Sequence, residues 1–484
     1  MRGVLAFGVC IPSLRLPRAV VARAMAWVNP GLNRQRGERT VCNWDEDTLT
    51  MGVEAARGAL RDIARQSISN VVLASTTLPF ADRSNATIVA GALGLSSTVS
   101  TQDSAGSQRA GTSSLAQAML HSSSKNTLVI GADRRLAKPG SEQEMTYGHA
   151  GAALLVGDGA VIARYVGSSH HAADFVDHHR LADSSFDYSL EERWVSEEGW
   201  QKQVPAAIVD LLSEKSWLPT DVAHLLVNVS SNVGKKLAVL SGIPADRLAD
   251  NLYDRVGDTG TGHPLLMLAA VLEKANAGER IVLVGFGQGV DVLLFEVTSA
   301  IDAWRRSRPV ATALQERLEE QSYTRFLAHC GLLTPEFGMR SERDNRTAQT
   351  VAWRRHDELL TLTGGRCVRC GTIQFPLSGA CVEPSCRQLG RQDPIALNEQ
   401  HGRIKTFTED WLAYSQRPPL VYGNVAFESG GNAFVEFTDF APNEAAVGQE
   451  VRFVFRLKDV DRLRGFRRYF WKAAPVVGFR NGSH

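Results

Sequence analysis

An α/β fold followed by a small all-β module is the architecture this sequence predicts. Three observations predict it. Over residues 1–300, Val/Leu-rich runs of strand length alternate with segments of helical periodicity. The two parts of that stretch echo each other. Beyond residue 366, four crowded cysteines give way to short strand-like runs broken by Gly and Pro turns.

The strands of the first part are "NVVLAST" (70–76), "NTLVIGAD" (126–133), "AALLVGDGAVIARYV" (152–166), "HLLVNVS" (224–230) and "RIVLVGFGQGVDVLLFEV" (280–297), each bounded by Gly, Ser, Asn or Asp. Near-continuous apolar strands of this kind belong to a buried sheet with helices on both faces. "DEDTLTMGVEAARGALRDIA" (45–64) reads as a helix opening on acidic residues, which suit the positive end of its dipole. "HPLLMLAAVLEKANAG" (263–278) has Pro in its first turn and Gly at its end. The helix-forming stretch Leu115 to Leu120 follows a short polar turn, Ser104 to Arg109. The echo pairs "QRAGTSSLAQAML" with "GTGHPLLMLAAVL" and "GHAGAALLVGDGAVIARYV" with "IVLVGFGQGVDVLLFEV", which predicts a duplicated unit of two βαβαβ halves.

Residues 301–365 turn charged and helical and read as a connector. Residues 366–392 carry the cysteines, and 393–484 read as a small antiparallel barrel with Gly-Gly and Pro-Asn turns. With 484 residues, 44% of them hydrophobic, the chain has room for several cores. A formal net charge of +1 gives no long-range pull toward nucleic acid or an anionic membrane. No apolar run reaches membrane-helix length and the N-terminus lacks a signal-peptide pattern, so the expected location is the cytoplasm.

"CVRCGTIQFPLSGACVEPSC" carries the strongest local signal. Cys367 and Cys370 form a CxxC knuckle, and Cys381 and Cys386 follow a hairpin-sized gap. Four thiolates can fill a tetrahedral zinc site completely and leave no position for water, so one structural zinc per chain is expected. A ribbon that keeps the spacing without the metal is the alternative. "SSHHAADFVDHHR", with His170, His171, His178 and His179, reads as a solvated loop able to hold adventitious metal. "FDYSLEERWVSEEGW" (186–200) is either a lid or dimer-contact insertion or a packed surface helix.

The last 120 or so residues, with "RCGTIQFPLSGAC", "GRIKTFTEDW", "VGQEVRFVFR" and "YFWKAAP", resemble the zinc-ribbon/OB-fold family of acyl-CoA-associated proteins (DUF35). The first 300, through "NWDEDTLTMGVEAA", "SQRAGTSSL", "GHAGAALLVGDG", "DTGTGHPLLMLAAVLE" and "GFGQGVD", resemble the hydroxymethylglutaryl-CoA synthase branch of the thiolase superfamily. That resemblance implies a duplicated thiolase fold, a coenzyme A thioester as substrate, and pairing into a homodimer or higher oligomer. A separate thiolase-type subunit is a further implied partner.

It also implies a cysteine nucleophile, a glutamate, a histidine and a Gly-Asn-Thr turn. Here those positions read Gln108, Thr77, Asn228 and Gly257-Asp258-Thr259. Gln108 cannot attack a thioester, and Ser107 beside it is a weak nucleophile without a base. Asp258 and His263, in the turn entering a helix, are then the candidate acid and base, unless Asp258 merely caps the turn and His263 merely starts the helix. Asn228 and the N–H groups around Gly287 and Gly289 are candidate oxyanion donors. Tyr147 and His149 are a further pair. Arg134, Arg135 and Lys138 either meet coenzyme A phosphates or are simply solvated. The expected activity is carbon–carbon bond chemistry beside a thioester carbonyl without an acyl-cysteine, either acyl transfer by Claisen-type condensation or aldol/retro-aldol cleavage. A non-catalytic acyl-CoA-binding scaffold for a separate thiolase is the reading of a different class.

Overall fold

The computed structural model describes residues 1–121, 125–304, 309–346, 348–461 and 463–476. The chain divides into two compact units. The first comprises Met1–Cys42, Asp47–Ala90 and Leu95–Tyr323; the second comprises Asn43–Glu46, Gly91–Gly94 and the chain from Thr324 onward.

A nine-stranded sheet organises the first unit, and its order displays the duplication. Outward from the centre run Arg2–Cys10, Ala150–Asp158, Asn126–Asp133, Ile68–Ala74 and Ser100–Ser104 on one side. On the other run Ala163–Ala172, Gly289–Val297, Arg280–Phe286 and Val222–Val227. In each half the two strands nearest the centre pair antiparallel, the next pair is again antiparallel, and the outer strands are parallel. The halves join through two residue pairs, Gly3 with Arg164 and Val4 with Ala163.

Two of the expected long runs are each a pair of strands: 152–166 lies in Ala150–Asp158 and Ala163–Ala172, and 280–297 in Arg280–Phe286 and Gly289–Val297. The strand Ala163–Ala172 also continues through His170 and His171, where a solvated loop was expected. Its backbone is captured by Gly289–Val297, with His170 opposite Asp291 and Ala172 opposite Gly289.

Helices Ala110–Leu120 and His263–Leu272 pack against one face, where Leu115, Ala116, Met119, Leu265, Leu266 and Leu268 share one core with Val129, Leu154, Leu283 and Leu293. Their close approach needs Gly111, since a Cβ there would lie 2.2 Å from the Thr261 carbonyl oxygen. Thr48–Ala59 packs on the first half, against Arg2–Cys10 and Ala150–Asp158. Asp47 starts that helix by accepting the N–H groups of Leu49 and Thr50. In the second half, Val204, Ile208 and Leu211 of Gln201–Glu214 join Val282, Val284 and Val292 in a separate core. The segment 186–200 packs through its tryptophans: Trp194 stacks on Phe175 at 4.4 Å and Trp200 on Phe286 at 4.1 Å.

Between 301 and 365 lie short helices, among them Ile301–Trp304, Pro309–Gln315, Tyr323–His329, Gln349–Arg354 and His356–Leu360; residues 305–308 and 347 of the expected connector fall outside the described residues. Thr363–Cys367, Ile373–Gln374 and Gln392–Ala396 form the small ribbon sheet.

The last module is a five-stranded sheet in the order Asn432–Glu436, Leu420–Phe427, His401–Asp410, Glu450–Asp461, Phe466–Pro475. A parallel bridge from Phe437 to Ala473 closes it, giving the OB barrel. Alternating burial along Leu420–Phe427 points Val421, Val425 and Phe427 inward, against a core with Phe453, Phe455 and the fully buried Trp471. Within this unit Asp45 pairs with Lys472 at 3.0 Å and Glu46 with Arg456 at 3.0 Å.

Candidate active site

Both central helices begin in polar turns. The turn before Ala110–Leu120 is pinned to the second half of the sheet: Ser107 Oγ and Arg109 Nε both donate to the Gly287 carbonyl oxygen at 2.8 Å. Gly287 has φ +154°, and a Cβ on it would lie 2.7 Å from Ser107 Oγ, so this crossing requires glycine. The Gly287 N–H, expected as an oxyanion donor, is spent on the Gly289 carbonyl oxygen at 3.0 Å. Gln108, between the two anchors, is half-buried and turns its amide nitrogen toward His178 Nε2 at 3.0 Å. Asp177 Oδ2 holds the other ring nitrogen at 2.9 Å.

Asp258 lies in the turn before the second helix. Its Oδ1 accepts from Asn228 Nδ2 (2.9 Å) and the Gly260 N–H (3.0 Å), and its Oδ2 accepts from Arg135 Nη1 (3.0 Å). Burial opposes ionisation of this carboxyl. The Arg135 guanidinium, His263 and the two hydrogen bonds outweigh it and hold the group below its ordinary range. Asn228 in turn accepts from Tyr253 Oη at 2.9 Å.

Arg135 is buried, stacks on the Tyr147 ring at 3.6 Å, and forms its second ion pair with Asp187 at 2.8 Å. It therefore neutralises two carboxylates and is not placed as a contact for a ligand phosphate. Arg134 donates its backbone N–H to Thr77 Oγ1 at 2.9 Å. Asp187 also accepts from Tyr147 Oη and Arg180 Nη1, both at 2.8 Å. Burial pushes the Tyr147 hydroxyl well above its usual range, so it serves as a donor and not as a base.

His263 has no nitrogen to spare. Its Nδ1 accepts the Thr259 N–H at 3.1 Å and its Nε2 donates to the Asn251 carbonyl oxygen at 2.9 Å. Burial lowers its pKa and keeps it neutral. The structure thus separates Asp258 from His263 in role: neither hydrogen-bonds the other, and His263 locks the helix start. His149 is closed in the same way, between the Cys42 N–H (2.9 Å) and the Arg135 carbonyl oxygen (3.0 Å), and burial with Arg134 and Arg39 nearby lowers it to about 3.

Thr77 Oγ1 donates to Asp133 Oδ1 at 2.9 Å. Asp133 is fully buried. It also accepts from Ser75 Oγ and the Thr76 N–H at 2.8 Å, and its second oxygen takes the N–H and hydroxyl of Thr261 at 2.8 Å. The carboxylate ties the loop after Ile68–Ala74 to the turn that starts His263–Leu272.

Over about two-thirds of its length the chain is similar to hydroxymethylglutaryl-CoA synthases. The protein of that name from Thermococcus sibiricus is 29% identical over 341 residues, which covers 68% of this chain and 96% of the relative. A structure of MvaS in complex with 3-hydroxy-3-methylglutaryl coenzyme A superposes with a TM-score of 0.59 at 21% identity, over 69% of this chain and 93% of the other. The 3-oxoacyl-(acyl carrier protein) synthase III FabH from Pseudomonas aeruginosa gives 0.53 at 20% identity, over 61% and 98%. These likenesses show the thiolase-type fold. No family model matches the chain.

Sequence reasoning assigned no site role to four residues that the structure ties into these networks: Asp133, Asp187 and Asp177, and His178, which was read only as a loop histidine. Asp133 had a signal, a lone carboxylate ending a central apolar strand. Asp187 and Asp177 lie in a loop without periodicity. Of the four loop histidines, His170 donates toward buried Asp291 at 2.8 Å and faces Ser168 Oγ at 3.0 Å; His178 is held as above. His179 is exposed beside the Tyr188 ring.

In the second unit, the Sγ atoms of Cys367, Cys370, Cys381 and Cys386 all lie within 4.8 Å of one another. The Cys367–Cys386 and Cys370–Cys381 separations are 3.8 and 3.5 Å. A tetrahedron of sulfurs about 2.3 Å from zinc has edges of about 3.8 Å, so this donor set fits the ion. No helix among the described residues is long and apolar enough to cross a membrane.

Proposed function

We propose that the chain acts on coenzyme A thioesters, making or breaking a carbon–carbon bond beside the thioester carbonyl without an acyl-cysteine. The observation that carries this reading is Gln108, seated at the start of helix Ala110–Leu120 in a chain whose likeness spans nearly the whole length of hydroxymethylglutaryl-CoA synthases. The frame is kept and the nucleophile is replaced by a neutral amide. Aldol or retro-aldol chemistry needs a base, an acid and an oxyanion contact, and none of these is a nucleophile. Direct Claisen-type acyl transfer is the other reaction this frame supports.

Asn228 is our candidate for the oxyanion contact. Its side-chain amide has a second hydrogen beyond the one given to Asp258. Asp258 and Arg135 support it as a fixed charge pair, which is a positioning role. Four cysteines hold one zinc, whose ligation folds the ribbon. Two chains pair as a dimer, measurable by light scattering.

Incubating the purified chain with 3-hydroxyacyl-CoA and 3-oxoacyl-CoA panels tests the proposal. Shortened acyl-CoA plus an aldehyde or ketone, seen by mass spectrometry with no mass gain on the protein, supports cleavage. A covalent acyl adduct overturns the mechanism. The engagement of both Asp258 and His263 favours one second reading, a scaffold that binds acyl-CoA and activates a separate thiolase. It predicts binding without turnover until that thiolase is added.

A further inference from the structure

The proposed chemistry needs a proton-transfer group, and the nearby candidates are closed. His263 and His149 spend both ring nitrogens on backbone groups, and the Asp258 carboxylate already takes three hydrogen bonds, one of them from the Arg135 guanidinium. His178 differs in every respect that matters. Its Nδ1 lies 2.9 Å from Asp177 Oδ2, and a carboxylate only accepts, so Nδ1 carries the proton. Nε2 is then a lone-pair acceptor, and it receives the amide N–H of Gln108 at 3.0 Å. The side chains of Asp177 and His178 are each 17% exposed, reachable by a small molecule yet largely shielded from bulk water. Asp177 Oδ1 is buried with no hydrogen-bond partner among the described residues, which concentrates its charge on the imidazole.

The fold fixes this geometry. Strand His178–His179 pairs with Tyr188–Ser189, and the Leu190 N–H closes onto the Asp177 carbonyl oxygen at 3.1 Å. One residue before Tyr188, Asp187 enters the Asp258–Arg135 network, and Arg180 reaches Asp187 Oδ1 from the other side. One loop therefore delivers His178 to Gln108 and Asp187 to the cluster that holds Asn228.

We propose that His178, oriented by Asp177, is the general acid–base group at the position vacated by the nucleophile. This rests on the carbon–carbon cleavage reading given above. The hydroxyl of a 3-hydroxyacyl thioester displaces the Gln108 N–H from Nε2. His178 takes the hydroxyl proton, and the O–H bonding pair becomes the new C=O bond. The Cα–Cβ bond breaks and its electrons pass into the thioester enolate. The imidazolium returns the proton to Cα, leaving an aldehyde or ketone and a shortened acyl-CoA. Every atom and electron is accounted for without a co-reactant.

The test measures steady-state cleavage of a 3-hydroxyacyl-CoA panel by the full chain. His178→Ala lowers kcat by about 10²–10⁴-fold with KM changed little, and added free imidazole restores part of the rate. His178→Asn, which keeps a polar group of similar size, shows the same loss if the alanine variant folds poorly. Asp177→Asn lowers kcat in the same direction, and His179→Ala leaves it unchanged. Wild-type turnover with undiminished His178→Ala and His178→Asn overturns the assignment alone. Wild type that binds acyl-CoA without cleaving it overturns the assignment together with the cleavage reading.

Discussion

The two central helices occupy equivalent places in a duplicated sheet, yet their starts are built to opposite ends. Before His263–Leu272, the residues Thr259, Gly260, Thr261, Gly262 and His263 are all buried, and the Thr259 N–H, the Thr261 N–H and hydroxyl and both His263 ring nitrogens are consumed internally. Before Ala110–Leu120, the residues Ser107, Gln108 and Arg109 are half-buried, and Gln108 meets a histidine that is itself partly open. Duplication supplied two helix starts. One became the lock between the halves, and the other kept an accessible face. A substitution in the lock should therefore act on stability first, and one at the open start on chemistry.

Asp133 is where breaking the lock costs most. Asp133→Ala leaves the donors of Ser75, Thr76, Thr77 and Thr261 facing an empty, dry site. The expected loss is about 3–5 kcal/mol, read as a shifted denaturation midpoint. An unchanged midpoint would mean that this carboxylate does not hold the halves together. Asp258→Asn comes next. It leaves Arg135 with Asp187 as its sole ion-pair partner, for a loss of about 2–3 kcal/mol. If Asp258 instead transferred protons, this variant would keep wild-type stability and lose turnover.

These assignments also show what the chain sequence could and could not convey. Strand Asn126–Asp133 was readable to the residue, because a buried strand writes itself as an unbroken apolar run. The four zinc-spaced cysteines were readable for a similar reason, since ligand spacing is local. The partners of Asp258 were not. Gly260 is local to the turn, but Asn228 and Arg135 come from separate elements, and only the folded sheet makes them neighbours of Asp258. His170 reads as a loop residue by composition and becomes a strand residue because Gly289–Val297 pairs with it. His178 and its neighbour Asp177 are adjacent in sequence, but nothing local says that Gln108, seventy positions earlier, completes the chain of hydrogen bonds.

Acid provides a graded way to loosen the buried side without mutation. His149 is held neutral in the folded chain, with its pKa lowered to about 3 against an ordinary value of about 6.5. The unfolded chain takes up that proton first, so stability is full above about pH 6.5 and falls as pH drops toward 3. The slope from this group approaches about 1.4 kcal/mol per pH unit. His263, lowered in the same direction by burial, adds to it. Chemical denaturation at stepped pH reads the slope, and His149→Gln should flatten it. A slope as steep in the variant as in the native chain would place the acid sensitivity elsewhere.

The smallest structural change probes the open start directly. Gln108→Cys alters one half-buried side chain and should move stability by no more than about 0.5 kcal/mol. Its effect on chemistry is a gain. His178 Nε2 can take the thiol proton, the thiolate can attack a thioester carbonyl, and the imidazolium can protonate the departing coenzyme A. Incubation with acetyl-CoA should then raise the protein mass by one acetyl group on the introduced thiol, while the native chain gains none. Adding His178→Ala to the variant should slow that acylation. A double variant that acylates as fast would show that the helix start activates the thiol by itself. A Gln108→Cys chain that stays unmodified would show that the open start does not bring a thioester carbonyl to position 108, and the contrast between the two helix starts would then be one of exposure alone.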